Sequence, residues 1–135
     1  MTHAEGRHLL VVDDEPLLVR IWSDLLEGEG YTVSTASSGK EALERIAKGD
    51  VDLVLMDFGM PECNGLEVSQ RIRSLRPGLP IIMITGHVSA DLATAARESG
   101  AVDHFMVKPL VDQELLDLVR ETLSASPRPA SDSKT

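Results

Sequence analysis

Five residues of this chain combine reactive side chains with one recurring context. Asp13 and Asp14 stand side by side behind the apolar run 9–12, Asp57 follows the run 52–56, Thr85 closes the run 80–85, and Lys108 follows the run 104–107. Carboxylates, a hydroxyl and an ammonium suit phosphoryl transfer. One carboxylate can act as nucleophile and carry the phosphoryl group as an acyl phosphate, while the other groups stabilise charge spread over the transferring oxygens. Three carboxylates brought together also need neutralising, because two such charges about 4 Å apart repel by about 4 kcal/mol at an effective dielectric of about 20. A hard divalent cation does this. Mg²⁺ takes a few carboxylate oxygens, keeps several waters and leaves a position for a phosphoryl oxygen.

For these residues to meet, the runs preceding them must lie parallel, with their carboxyl ends on one edge. The sequence supports that arrangement. Strands are expected at 8–12, 32–36, 52–56, 80–85 and 104–107, all short and rich in β-branched or large apolar residues. Amphipathic stretches separate them and predict helices over 16–28, from 37 or 38 to 48, from 65 to just before Pro77, over 89–99 and over 111–123. Pro16 suits a first helical turn, Ser38 and Glu41 have capping-box spacing, and Gly28, Gly30, Gly49 and Gly100 supply stops. Five alternating strand–helix units define an α/β class, (βα)5, with a parallel sheet covered on both faces. The second strand ends in Ala36-Ser37-Ser38 without a charge.

Val11-Val12-Asp13-Asp14-Glu15-Pro16, Asp57-Phe58-Gly59-Met60-Pro61 followed by Gly65, Ile84-Thr85-Gly86, and Lys108-Pro109 occur in that order. Together they resemble the signature of the response-regulator receiver domain of two-component phosphorelay signalling, of the chemotaxis-regulator-like kind, over residues 9–123. The resemblance implies a doubly wound, flavodoxin-like sheet of strand order 2-1-3-4-5. It implies Asp57 as phosphoacceptor, Asp14 as a direct metal ligand, and Asp13 as a second acid acting largely through metal-bound water. Asp57 and the backbone carbonyl of Gly59 would complete the protein ligands of Mg²⁺, with Mn²⁺ able to substitute. Thr85 would hydrogen-bond the phosphoryl group, Lys108 would pair with it, and the Lys108–Pro109 bond would be cis.

The same resemblance implies a switch with self-phosphorylation and self-dephosphorylation activity rather than a conventional enzyme. Its donor would be a histidine kinase or a histidine phosphotransfer protein. Thr85 would move toward the phosphoryl group, Phe105 would turn inward, and a downstream partner would read the fourth helix, fifth strand and fifth helix. Phe105 has no hydroxyl, so a switch reported by a phenolic hydrogen bond is excluded. Gly59 and His87, each two residues beyond a site residue, would flank the path of water and tune the phosphoryl lifetime. The first helix carries an apolar arc about 200° wide, more than one core face needs, so Leu17 or Val19 is expected to help dock the phosphodonor.

Plainer roles compete. Asp13 and Asp14 could simply favour the positive end of the first helix. Lys108 alone could be a surface lysine, Thr85 a strand-end threonine and Phe105 a core aromatic. The histidines at 3, 8, 87 and 104 lack metal-ligand spacing, which leaves surface or strand-edge roles as their default.

Composition narrows the alternatives. Thirteen basic against twenty-two acidic residues give a formal net charge of -9, which disfavours direct binding to nucleic acid. No run reaches the roughly 18 apolar residues of a membrane span, the first residues lack a secretory pattern, and Cys63 is the single cysteine, so a cytoplasmic protein is expected. The expected organisation is an N-terminal extension at 1–7, one domain at 8–123, and a disordered tail or truncated linker at 124–135. An aspartate-nucleophile Mg²⁺ phosphatase of the haloacid-dehalogenase kind would place Asp-x-Asp after the first strand, whereas this chain has adjacent acids. A nucleotide or flavin module would want a glycine-rich or hydroxyl-rich loop there, the opposite of Asp-Asp-Glu-Pro.

Overall fold

Alternation along the central strands sorts side chains into two layers. The computed structural model describes residues 6–60, 64–86 and 89–125. Its strands are β1 (His8–Val12), β2 (Thr32–Ala36), β3 (Leu53–Asp57), β4 (Ile81–Thr85) and β5 (His104–Val107). The helices are α1 (Pro16–Glu27), α2 (Gly39–Ala47), α3 (Gly65–Leu75), α4 (Ala90–Ser99) and α5 (Asp112–Ala125). Neighbouring strands pair in parallel in the order β2-β1-β3-β4-β5, the doubly wound sheet expected.

β1, β3 and β4 are buried at every position because helices cover both of their faces. Leu9, Val11, Leu55 and Ile84 pack with Trp22 and Leu26 of α1 and with Leu115 and Val119 of α5. On the other face Leu10, Val12, Val54 and Met56 pack with Ala42 and Ile46 of α2 and with Val68 and Ile72 of α3. Among the described residues no helix is long and apolar enough to cross a membrane.

Element ends differ from expectation for local reasons. β3 starts at Leu53 and includes Asp57. The Asp52 carboxylate occupies itself with the backbone N–H of His8 at 2.8 Å, and Asp57 pairs with Ile84 in the ladder. Pro80 has no N–H to give, so β4 begins one residue later, although the Pro80 carbonyl accepts from Val54 N–H. α5 runs through Ala125, two residues into the expected tail, with Thr122 and Leu123 buried near its end. The rest of that tail lies outside the described residues.

The expected capping box is only half formed. Ser38 caps α2 by accepting from Glu41 N–H at 3.1 Å, but the Glu41 carboxylate reaches past Ser38 to the N–H and hydroxyl of Ser37. His8 is also not at the surface. It is buried, with Nε2 2.6 Å from Ser34 Oγ and Nδ1 3.3 Å from Asp50. Asp50 adopts a φ of 65°, a left-handed conformation that aspartate tolerates, and Arg45 stands 3.2 Å from its carboxylate.

Candidate active site

The carboxyl edge of the sheet gathers the expected residues. Asp13 leaves β1 with its N–H donating to the Ala36 carbonyl at 3.1 Å, and its Oδ1 accepts from Glu15 N–H at 2.9 Å as the chain turns into α1. Asp57 ends β3, fixed by its pairing with Ile84 and by Phe58 N–H donating to the Ile84 carbonyl at 2.7 Å. One oxygen each of Asp13, Asp14 and Asp57 lie within 4.8 Å of one another. Asp13 and Asp57 are buried, whereas Asp14 is exposed at the mouth.

Asp13 Oδ2 is buried and accepts no hydrogen bond among the described residues. Burial pushes the Asp13 carboxyl up to about 6; the Glu15 N–H opposes this, Asp57 adds to it, Lys108 opposes it and Asp14 adds to it. An orphaned carboxylate oxygen beside two more carboxylates is the donor set of a hard cation. The residues present therefore fit a divalent ion.

Lys108 is placed by backbone pairing. Its N–H donates to the Thr85 carbonyl at 2.8 Å, which carries the side chain to the level of the strand ends. Its ammonium stands 3.2 Å from Asp57 Oδ1, 3.8 Å from Asp13 Oδ2 and 5.7 Å from the centroid of the Trp22 ring. The Lys108–Pro109 peptide bond is cis. Thr85 is buried at the end of β4 and opposes Val107 in β5, while Phe105, half-buried, opposes Met83. Residues two apart share a sheet face, so Thr85 and Phe105 lie on the same side.

Gly59 donates its N–H to Asp57 Oδ1 at 3.3 Å. A Cβ there would lie 3.7 and 3.8 Å from the two Asp57 carboxylate oxygens, in ordinary contact. At Gly65 a Cβ would come within 3.2 Å of Phe58 Cα, so this glycine lets α3 pack closely on the chain leaving Asp57. His87 lies outside the described residues. Of the two candidate docking residues, Leu17 is 69% exposed and Val19 is half-buried; Ile21, one turn on from Leu17, is also exposed.

Sequence reasoning missed Trp22. It counted only an apolar arc on the first helix, of which Trp22 is part, but the ring also lies against Lys108. Only a register that places α1 behind the strand ends reveals that second contact.

The family model of the response regulator receiver domain matches residues 9–120. The transcriptional regulatory protein GlrR of Escherichia coli (strain K12) is 39% identical over 134 residues, covering 99% of this chain and 30% of its own length. The sensor histidine kinase RcsC of the same organism is 38% identical over 116 residues, covering 86% of this chain and 12% of its own length. The chain thus spans less than a third of the curated relatives it matches. A CheY-like response regulator receiver domain protein from Methanospirillum hungatei JF-1 superposes with a TM-score of 0.85 at 30% identity, covering 89% of this chain and 95% of that one. The phosphatase alternative finds no support. An acidic triad with a lysine beside Asp57, on a sheet of this order and with relatives of this kind, leads to one assignment: the chain belongs to the response regulator receiver domain family and is a receiver domain of two-component signalling.

Proposed function

We propose that Asp57 accepts a phosphoryl group from a phosphohistidine in a Mg²⁺-dependent reaction and that the resulting acyl phosphate switches the surface of α4, β5 and α5. The observation that carries this reading is the environment of Asp57: a buried carboxylate 3.2 Å from an ammonium and within 4.8 Å of two more carboxylates.

An Asp57 oxygen attacks phosphorus, the bond from phosphorus to the imidazole nitrogen breaks, and the imidazole keeps the bonding electrons and takes up a proton. Asp13, Asp14, Asp57 and the Gly59 carbonyl would hold Mg²⁺, with Mn²⁺ as substitute; when bound, the ion supplies positive charge against the phosphoryl oxygens. Lys108 pairs with a second phosphoryl oxygen and Thr85 donates its hydroxyl to a third. Slow self-phosphorylation from small donors and self-dephosphorylation by water follow from the same residues. Phe105 shares the face of Thr85, so movement of Thr85 is felt along β5, where Val107 is exposed.

The donor is a histidine kinase or phosphotransfer protein in the cytoplasm. The -9 charge makes direct contact of this domain with nucleic acid unfavourable. The test is incubation with labelled phosphorylated kinases and Mg²⁺. A hydroxylamine-labile label is expected on the chain and not on Asp57→Asn; a label that survives this substitution would place the acceptor elsewhere.

A further inference from the structure

Lys108 has a four-carbon stem with freely rotating bonds, so something must hold its ammonium where a phosphoryl oxygen will arrive. Among the described residues three contacts do so: Asp57 at 3.2 Å, Asp13 at 3.8 Å and the Trp22 ring with its centroid at 5.7 Å. The first two are carboxylates of the acidic cluster. Once a divalent cation neutralises that cluster, their pull on the ammonium weakens. The indole ring carries no charge to be cancelled. It is buried against Leu26, Leu55 and Ile84 in the layer between α1 and the sheet, so it cannot turn aside without disturbing the core. A cation within about 6 Å of an aromatic centroid is attracted by the ring face, most strongly by tryptophan.

We propose that Trp22 is a positioning residue for phosphoryl transfer: its indole ring keeps the Lys108 ammonium at the acidic site after the carboxylates have been neutralised. This inference rests on the reading of Asp57 as phosphoacceptor. It assigns to the only tryptophan of the chain a role beyond filling the core.

Two variants separate the roles. Trp22→Leu keeps an apolar side chain and loses the π-face; Trp22→Phe keeps an aromatic face. With a small phosphodonor such as acetyl phosphate and saturating Mg²⁺, Trp22→Leu is expected to label Asp57 about fivefold more slowly, equivalent to ~1 kcal/mol. Trp22→Phe should recover to within about twofold of the parent. A second readout does not depend on the reaction. With lysines labelled at the ε-carbon, the chain gives four ε-methylene signals, from Lys40, Lys48, Lys108 and Lys134. The Lys108 signal is expected upfield of the others through the ring current, to remain so with Mg²⁺, and to return to the common position in Trp22→Leu.

A labelled parent whose Lys108 signal is unshifted in Mg²⁺ overturns this inference alone, as does a folded Trp22→Leu that is labelled at the parental rate. A parent that takes no label overturns the acceptor reading and this inference with it. Should Trp22→Leu fail to fold, the Lys108 signals of the parent and of Trp22→Phe decide the matter: shifted signals in Mg²⁺ support the role, and unshifted ones remove it.

Discussion

The ammonium of Lys108 stands 3.2 Å from Oδ1 of Asp57 but 3.8 Å from Oδ2 of Asp13. Without a metal ion the lysine is thus an internal counter-ion of the acidic cluster and leans toward Asp57. A divalent cation entering the cluster competes with that ammonium. Lys108→Ala should therefore bind Mg²⁺ at least as tightly as the parent, while its phosphorylation rate falls about 100-fold, the usual effect of deleting one group that stabilises transition-state charge. Calorimetric Mg²⁺ titration and initial labelling rates measure the two. Parallel loss of both would mean that the lysine builds the site rather than serving the reaction.

The Asp13 carboxyl, pushed up to about 6 chiefly by burial, makes the site pH-dependent. A folded-state value above the ordinary 3.8 means that the folded protein holds this proton more tightly than the unfolded chain. The associated stability is fully present below the ordinary value and is lost as pH rises through about 6. Cation binding needs the ionised carboxylate, so Mg²⁺ affinity should fall up to about tenfold per pH unit below that point. Saturating Mg²⁺ should raise the thermal midpoint more at pH 7.5 than an equal concentration does at pH 5. Equal shifts at both would show Asp13 ionised throughout the range.

How far the sequence revealed the fold and site depended on how local each determinant is. Strands carry their chemistry in their last residue or the one after it, so Asp57 and Thr85, and Asp13 and Lys108, could be picked out without coordinates. Burial on both faces gives β1, β3 and β4 uninterrupted apolar runs, which locates them within a residue. Determinants set by loop geometry or by distant partners were hidden. The choice between Ser37 and Ser38 as the group receiving Glu41 depends on loop geometry, not spacing. His8 read as a surface or strand-edge histidine because Ser34, Arg45 and Asp50 come to it from three other parts of the chain. The contact of Trp22 with Lys108 spans the whole domain and leaves no trace in either local sequence.

Gly59 offers a test of phosphoryl lifetime. Its N–H holds Asp57 Oδ1, and a Cβ fits at 3.7 and 3.8 Å from the carboxylate oxygens without a clash. A larger side chain is expected to reach over the Asp57 carboxylate. Gly59→Leu should lengthen the half-life of the acyl phosphate at least about threefold, with Gly59→Ala between it and the parent. Urea unfolding should change by no more than about 0.5 kcal/mol, as for a typical surface substitution. Equal half-lives in all three proteins would show that water reaches the phosphoryl group by another path.

Exposure on α1 bears on how a protein donor approaches. Leu17 is 69% exposed and Ile21 47%, and their spacing of four residues puts them on one stripe of the helix, starting three residues beyond Asp14. Half-buried Val19 faces elsewhere, so of the two residues expected to dock a donor, exposure favours Leu17, with Ile21 beside it. Covering such side chains yields at most about 1.5–3 kcal/mol each, a contribution to holding a partner helix beside the acids. Leu17→Ser combined with Ile21→Ser should slow transfer from a phosphorylated histidine protein about tenfold or more and leave labelling by acetyl phosphate within about twofold. The small donor needs only the acidic site, whereas the protein donor needs the helix face as well. Equal slowing with both donors would place the effect in the site itself and leave the α1 stripe without a docking role.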